Sequence, residues 1–176
     1  MDETYIGGEK PGKRGRGAAG KTLVVIAVED QGKHVGRIRL LRVPDASGDS
    51  LTFAIKEMIE PGSIVNTDGW IGYTTEATKG YIHEQVRPLA EIGDNLLPLA
   101  HRVASLLKRW LGSTHQGVVR PSHLDYYLDE FTFRFNRRTS RSRGKLFYRL
   151  MQQATQVGAV TCDDIRGGKN DDDNNP

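Results

Sequence analysis

The sequence predicts an α/β fold, a mixed five-stranded sheet with helices on both faces and a helical C-terminal part. Short runs of β-branched and aliphatic residues occupy much of the first half, and one helical pattern interrupts them. From about Leu96 onward, apolar residues recur at three- and four-residue steps. With 176 residues, of which 37% are hydrophobic, the chain is long enough to form one domain with a packed core.

The first three strands are predicted to be antiparallel neighbours. They cover residues 4–6, residues 22–28 with the sequence TLVVIAV, and residues 34–43 with the sequence HVGRIRLLRV. The glycine-containing segment 31–33 supplies a hairpin turn between the second strand and the third.

A helix is predicted next, over residues 50–59, where the large apolar side chains share one face. Asp49 is its expected N-cap, and the Pro-Gly pair at 61–62 is its stop. The sequence SIVNTD then predicts a short strand that ends at Asp68. The remaining elements of this half are a short helix and a strand, at residues 71–78 and 81–86.

Helices are predicted for the rest of the chain, except for its last residues. Their apolar periodicity covers residues 99–111, 123–136 and 145–157. The polar, Asp- and Asn-rich end predicts disorder, so we divide the chain into one domain, residues 1–157, and a disordered acidic tail, residues 158–176. The order of strands and helices is that of a ribonuclease H-like domain.

The segment GRGAAGKT, residues 15–22, matches the phosphate-binding loop of nucleotide-binding proteins. That loop requires a buried strand before it and a helix after it. Polar, glycine-rich residues precede this segment and a strand is predicted to follow it. We therefore expect no bound nucleotide, and interpret the segment as a flexible turn able to lie along a nucleic-acid backbone.

Basic residues form two clusters, at 13–21 and at 134–145, and the second holds six basic residues and no acidic one. Such clusters favour contact with a phosphate backbone, although a solvated surface is an equal alternative for either cluster alone. The residues that we expect to contact DNA are Lys13, Arg14, Arg16, Lys108, Arg109, Arg134, Arg137 and Arg138.

Several function classes are disfavoured by composition. Cys162 is the only cysteine, so neither an internal disulfide nor a structural zinc site made by cysteines is expected. No apolar run reaches the roughly 20 residues that cross a bilayer, and the first residues do not resemble a signal peptide. We expect a cytoplasmic protein without a membrane partner.

Two aspartates are expected at one edge of the predicted sheet. Asp2 precedes the first strand and Asp68 ends the fourth, and these strands are parallel neighbours in the predicted topology. Phosphodiester cleavage by two metal ions requires oxygen ligands that converge from separate elements. One aspartate at a strand end is more often a turn or cap residue, but the pair in this topology favours metal binding.

Four motifs in order, MDETYIGG, TDGWIGY, SLLKRWLGSTHQG and YLDEFTFRFNRR, resemble the catalytic domain of the ISXO-type insertion-sequence transposases, a branch of the DDE superfamily. The resemblance covers about residues 2–156. It implies that Asp2 and Asp68 bind two Mg²⁺ or Mn²⁺ ions. It also implies a bacterial, nucleoid-associated enzyme that cuts DNA at insertion-element ends, joins the free 3′-hydroxyl to target DNA, and works as a homo-oligomer.

The third metal position differs from the superfamily pattern, which is a Glu with Lys or Arg seven residues later. Here His101 precedes Lys108 by seven residues, about 20° short of two helical turns, so both share one helix face. The expected catalytic residues are therefore Asp2, Asp68, His101 and Lys108. Imidazole is a poor Mg²⁺ ligand, so His101 is expected either to bind metal weakly or to carry a proton or contact phosphate.

Two alternatives stay open. His101 can be a surface histidine without chemistry, and Glu91 is a rival carboxylate that lacks a basic residue seven positions later. Family members also carry a zinc-binding and helix-turn-helix region before the catalytic domain, whereas this sequence begins at the first catalytic motif. The chain is therefore either an active catalytic domain or an inactive truncated remnant that only binds DNA non-specifically.

Overall fold

The computed structural model describes residues 1–7, 21–74, 77–86, 96–116, 119–159 and 161–162. The chain forms two compact units, Met1–Val119 and Arg120–Pro176. The predictions for Lys13, Arg14, Arg16 and Glu91, and those for most of the tail at 158–176, lie outside the described residues.

The first unit contains a three-stranded antiparallel sheet in the order β1-β2-β3. Its strands are β1 (Asp2–Ile6), β2 (Thr22–Gln31) and β3 (His34–Val43). The predicted strands and their antiparallel pairing are confirmed, and β3 has the predicted bounds. The prediction that Asp2 precedes the first strand was wrong, because Asp2 is its first residue and pairs with Ile26.

Side chains alternate across β2, so both of its faces are buried. Leu23, Val25 and Ala27 pack in one core with buried residues of helix α1 (Gly48–Met58). Val24 and Ile26 lie on the opposite face, and the helix α2 (Pro98–Thr114) packs against β2 and β1. The sheet thus has one helix on each face.

Helix α1 begins with a different cap from the one predicted. Ser47 has extended backbone angles, and its hydroxyl oxygen accepts a hydrogen bond from the Ser50 N–H at 3.3 Å. Asp49 lies inside the first turn, where a negative charge favours the positive end of the helix dipole. Serine provides the cap because the helix starts two residues earlier than the periodicity predicts.

The remaining strands of the first unit, β4 (Ile64–Thr67) and β5 (Ile82–Gln85), form a parallel two-stranded sheet. The predicted five-stranded sheet is therefore wrong: the described strands form two sheets. One hydrogen bond links them at the relevant edge, from the Met1 amine to the Asn66 carbonyl at 2.7 Å. Next to this bond, the Glu3 N–H donates to Asp2 Oδ1 at 2.9 Å.

The helix predicted over residues 71–78 is replaced by turns in the described part of this segment. The Tyr73 N–H donates to the Trp70 carbonyl, as a turn requires. A Cβ added at Gly72 would lie 2.7 Å from the Ala46 carbonyl oxygen and 2.8 Å from Leu51 Cδ1. The backbone at residue 72 therefore packs so closely against Ala46 and Leu51 that a side chain at this position would clash.

The second unit is helical, as predicted. It contains a 3₁₀ turn at Pro121–His123, α3 (Leu124–Asn136) and α4 (Arg143–Ala154). Helix α3 buries Leu124, Leu128 and Phe131 on one side. No helix in the described parts of the chain is both long and apolar enough to cross a membrane.

Candidate active site

Strand β1 separates two neighbouring carboxylates. Asp2 is opposite Ile26 and therefore lies on the sheet face that α2 covers, whereas Glu3 is opposite Val25 and lies on the face of the α1 core. The two side chains meet different partners for this reason.

Asp2 contacts helix α2 through His101, the residue predicted at the third metal position. Its Oδ2 atom lies 3.1 Å from Nε2 of His101, and only 14% of the Asp2 side chain is exposed. The other oxygen, Oδ1, accepts the Glu3 N–H at 2.9 Å. The imidazole of His101 is half-exposed, with 51% of its side chain accessible, so it can meet both Asp2 and a ligand from solvent.

Asp68 directly follows β4, and its carboxylate is held by the turn that begins there. Its Oδ1 atom accepts the Trp70 N–H at 3.0 Å. The turn passes through Gly69, whose φ of 80° is strained for any residue with a side chain. The Trp70 indole anchors the turn by donating to the Ala46 carbonyl at 3.1 Å.

The carboxylates of Asp2 and Asp68 belong to one charged group. Burial lowers the pKa of the Met1 amine, and the charges of Asp2, Glu3 and Asp68 oppose that shift. The same three carboxylates help to raise the pKa of the Tyr73 phenol, for which burial is the largest cause. Asp2 and Asp68 therefore both act electrostatically on Met1 and on Tyr73.

Tyr73 and Glu3 form a contact that the sequence interpretation missed. The Tyr73 hydroxyl donates a short hydrogen bond to the Glu3 carboxylate. Tyr73 is buried, with 4% of its surface exposed. Its position five residues after Asp68 in TDGWIGY could have suggested a link between the two aspartate segments.

Lys108 lies on the same helix as His101, seven residues later, and both are exposed on α2. Burial of part of the side chain lowers the pKa of Lys108, Lys21 lowers it further, and Asp2 opposes both. Lys108 therefore lies within electrostatic range of the aspartate at one end of β1 and of a second lysine. Arg109, the next residue, is also exposed.

The donor atoms suit a hard cation, although the described residues contain no group of three His, Cys, Asp or Glu side chains arranged to hold a metal. Asp2 and His101 come together, whereas Asp68 does not join them as a third ligand. One oxygen of each aspartate accepts a backbone N–H, which fixes the orientation of the carboxylate. Carboxylate oxygens are the ligands that Mg²⁺ prefers, so Asp2 and Asp68 fit such an ion better than His101 does.

Three arginines predicted to contact DNA lie at the end of α3. Arg134 pairs with Glu130 at 3.4 Å. The guanidinium carbons of Arg137 and Arg138 lie 3.9 and 4.1 Å from the ring centroids of Phe133 and Phe135. Their side chains also donate to the last carbonyls of the helix, so they stabilise its C-terminus.

Comparison with known proteins gives one match. Neither the curated proteins nor the solved structures include one that matches the chain. The family model described as the ISXO2-like transposase domain matches residues 1–136, which include Asp2, Asp68, His101 and Lys108. The chain therefore belongs to the ISXO2-like transposase domain family.

Proposed function

We propose that this chain is the catalytic domain of a DNA transposase, and that Asp2 and Asp68 are the metal ligands for DNA cleavage and strand transfer. The observation that supports this best is the contact of Asp2 Oδ2 with His101 Nε2 at 3.1 Å. It joins the first strand to the helix on which the superfamily has its third residue. Membership of the transposase family supports DNA as the substrate.

Different hydrogen bonds hold the two aspartates, but we assign both the same role as metal ligands. Each uses its Oδ1 atom to accept a backbone N–H. The Oδ2 atom of Asp2 also contacts His101 Nε2, so a cation would share this oxygen with the imidazole or displace it. Two Mg²⁺ or Mn²⁺ ions bound by these residues would activate the attacking oxygen and stabilise the leaving oxygen. Asp2 and Asp68 orient that site.

We assign His101 a role as a hydrogen-bond donor to Asp2 or to a phosphate, and not as a metal ligand. Its imidazole is half-exposed and is not a preferred ligand of Mg²⁺. An imidazole N–H can donate a hydrogen bond to the Asp2 carboxylate or to a phosphate oxygen. Lys108, further along the same face, adds a positive charge for the DNA backbone.

The test is nicking of a supercoiled plasmid by the purified chain in Mn²⁺ and in Mg²⁺. We expect Asp2→Asn and Asp68→Asn each to reduce the rate by about two to three orders of magnitude, as for loss of a group that stabilises transition-state charge. His101→Ala should cost less and should not change the preference between the two ions. Asp49→Asn, which removes an exposed carboxylate on α1, is the matched control and should nick normally.

Nicking that persists in either site variant would exclude the metal-ligand assignment. If the parent chain binds DNA with salt sensitivity, is folded and does not nick, the inactive-remnant alternative is favoured. A change of ion preference in His101→Ala would instead make His101 a metal ligand.

A further inference from the structure

A basic groove lies at the end of the three-stranded sheet where β2 begins. It has a volume of about 410 Å³ and is lined by Lys21, Thr22, Leu23, Arg42, Val43 and Pro44. Two of these six residues are cationic and none is acidic. A groove of this composition suits an anion.

Strand register places Arg42 on the same sheet face as Asp2. Arg42 is opposite Val24, and Asp2 is opposite Ile26, two residues further along β2. Both positions therefore lie on the face that α2 covers. Arg42 is exposed at this face, and Lys21 precedes the first residue of β2.

Lys108 interacts electrostatically with Lys21 of the groove and with Asp2. Helix α2 thus runs beside β1, with His101 at the Asp2 end and Lys108 towards the Lys21 end. One face of the first unit carries negative charge at the metal-ligand end and positive charge at the other.

Two lengths give the separation between the ends. Ile6 is opposite Thr22 and four residues from Asp2, which is about 13 Å along a strand. The seven residues from His101 to Lys108 span roughly 10 Å of helix. Because these lengths exceed the size of one phosphate group, the groove and Asp2 would contact different phosphates of a bound DNA strand.

We propose that Lys21 and Arg42 bind a backbone phosphate of the DNA other than the phosphate that lies at Asp2. The arginine fork can contact two phosphate oxygens, and the lysine adds a compact charge. This site rests on the proposed function, since Asp2 defines the position of the reacting phosphate. It positions the strand and carries no sequence information.

The first experiment measures DNA affinity against salt concentration without a catalytic metal, so it does not depend on cleavage. The double variant Lys21→Ala with Arg42→Ala should bind a random duplex more weakly, with a salt slope shallower by roughly one per lost phosphate contact. The control, Arg37→Ala with Arg39→Ala, removes the same charge from exposed positions of β3. Arg39 is opposite Ala27, on the face away from Asp2, so the control slope should stay close to that of the parent.

Equal loss of slope in both double variants would overturn the proposal, because the effect would then be one of net charge. If the groove variant is unfolded, Lys21→Gln with Arg42→Gln replaces it, and if the control is unfolded, Arg37→Gln with Arg39→Gln replaces it; each is judged by the same slope. Competition with inorganic phosphate distinguishes a DNA backbone phosphate from free phosphate as the ligand of this groove. Tight binding of free phosphate at these residues, with an unchanged DNA slope, would also overturn the proposal.

The second experiment tests the phosphate contact on a duplex that carries one uncharged methylphosphonate linkage. The parent chain should cut less at one fixed distance from that linkage, and the double variant should lose this depletion. Cutting that ignores the linkage in the parent chain would contradict the proposed contact. A chain that shows the salt-slope effect without any cutting would retain the phosphate site and refute only the proposed activity.

Discussion

At the scale of single residues, the neighbours Asp2 and Glu3 show how strand alternation gives two carboxylates different tasks. Asp2 faces α2 and contacts His101, whereas Glu3 faces the core and accepts a hydrogen bond from Tyr73. Glu3 is therefore a structural carboxylate beside a candidate catalytic one. Tyr73 lies five residues after Asp68, so its contact ties the turn after β4 to β1.

We expect Tyr73→Phe to lower the free energy of unfolding by about 1.5–3 kcal/mol, because it removes a hydrogen bond to a charged acceptor. Urea denaturation measures this loss. Tyr81→Phe is the matched control, since the Tyr81 hydroxyl donates to the neutral Ile59 carbonyl at 3.2 Å. The control should lose only about 0.5–1.5 kcal/mol. Equal losses would show that the Glu3 contact is no stronger than a neutral hydrogen bond.

At the scale of elements, local patterns predicted most strands and helices but not how the sheets join. Runs such as TLVVIAV specify β2 because their side chains suit a strand buried on both faces. The Glu3 N–H donates to Asp2 Oδ1, and β1 and β4 belong to separate sheets in the described strands. How a strand pairs with one that is far away in the sequence leaves no periodic signal.

Local sequence patterns also predicted only part of the candidate site. Asp2, Asp68, His101 and Lys108 could be proposed from motifs and from the helical spacing of seven. Arg42 could not, because its position relative to Asp2 depends on the register of two strand pairs. The helix predicted over residues 71–78 is replaced by turns in the described part of this segment, where Gly72 packs closely against Ala46.

Gly72→Ala tests that packing argument. The added methyl group would lie 2.7 Å from a backbone oxygen and 2.8 Å from the fully buried Leu51, so we expect a loss of about 1–3 kcal/mol in unfolding free energy. Gly112→Ala is the control, because a Cβ there meets nothing within 4 Å and the residue lies within α2. That change should stabilise the chain by about 0.5–1 kcal/mol. An unchanged urea midpoint for Gly72→Ala would contradict the proposed contact.

At the scale of the whole molecule, charges of opposite sign lie towards opposite ends of the three-stranded sheet of the first unit. Three carboxylates surround Met1 and Tyr73, and two lysines and an arginine lie towards the other end of the sheet. A cation and a phosphate backbone are the ligands that this arrangement suits, each at one end. Because the carboxylates repel one another, a bound cation should also stabilise the folded chain.

This linkage can be measured without DNA or catalysis. An ion that binds only the folded chain stabilises it by about 2.7 kcal/mol at one hundred times its dissociation constant, so Mn²⁺ should raise the thermal midpoint. Asp68→Asn should abolish most of that rise, while its retained Oδ1 can still accept the Trp70 N–H.

In EDTA no cation is bound, so removing one carboxylate relieves the repulsion between the carboxylates. Asp68→Asn should then be no less stable than the parent chain. Asp49→Asn keeps all three carboxylates and should keep the full Mn²⁺ effect. If Asp68→Asn kept it as well, the ion would bind elsewhere, and the carboxylates around Tyr73 would have a structural role alone.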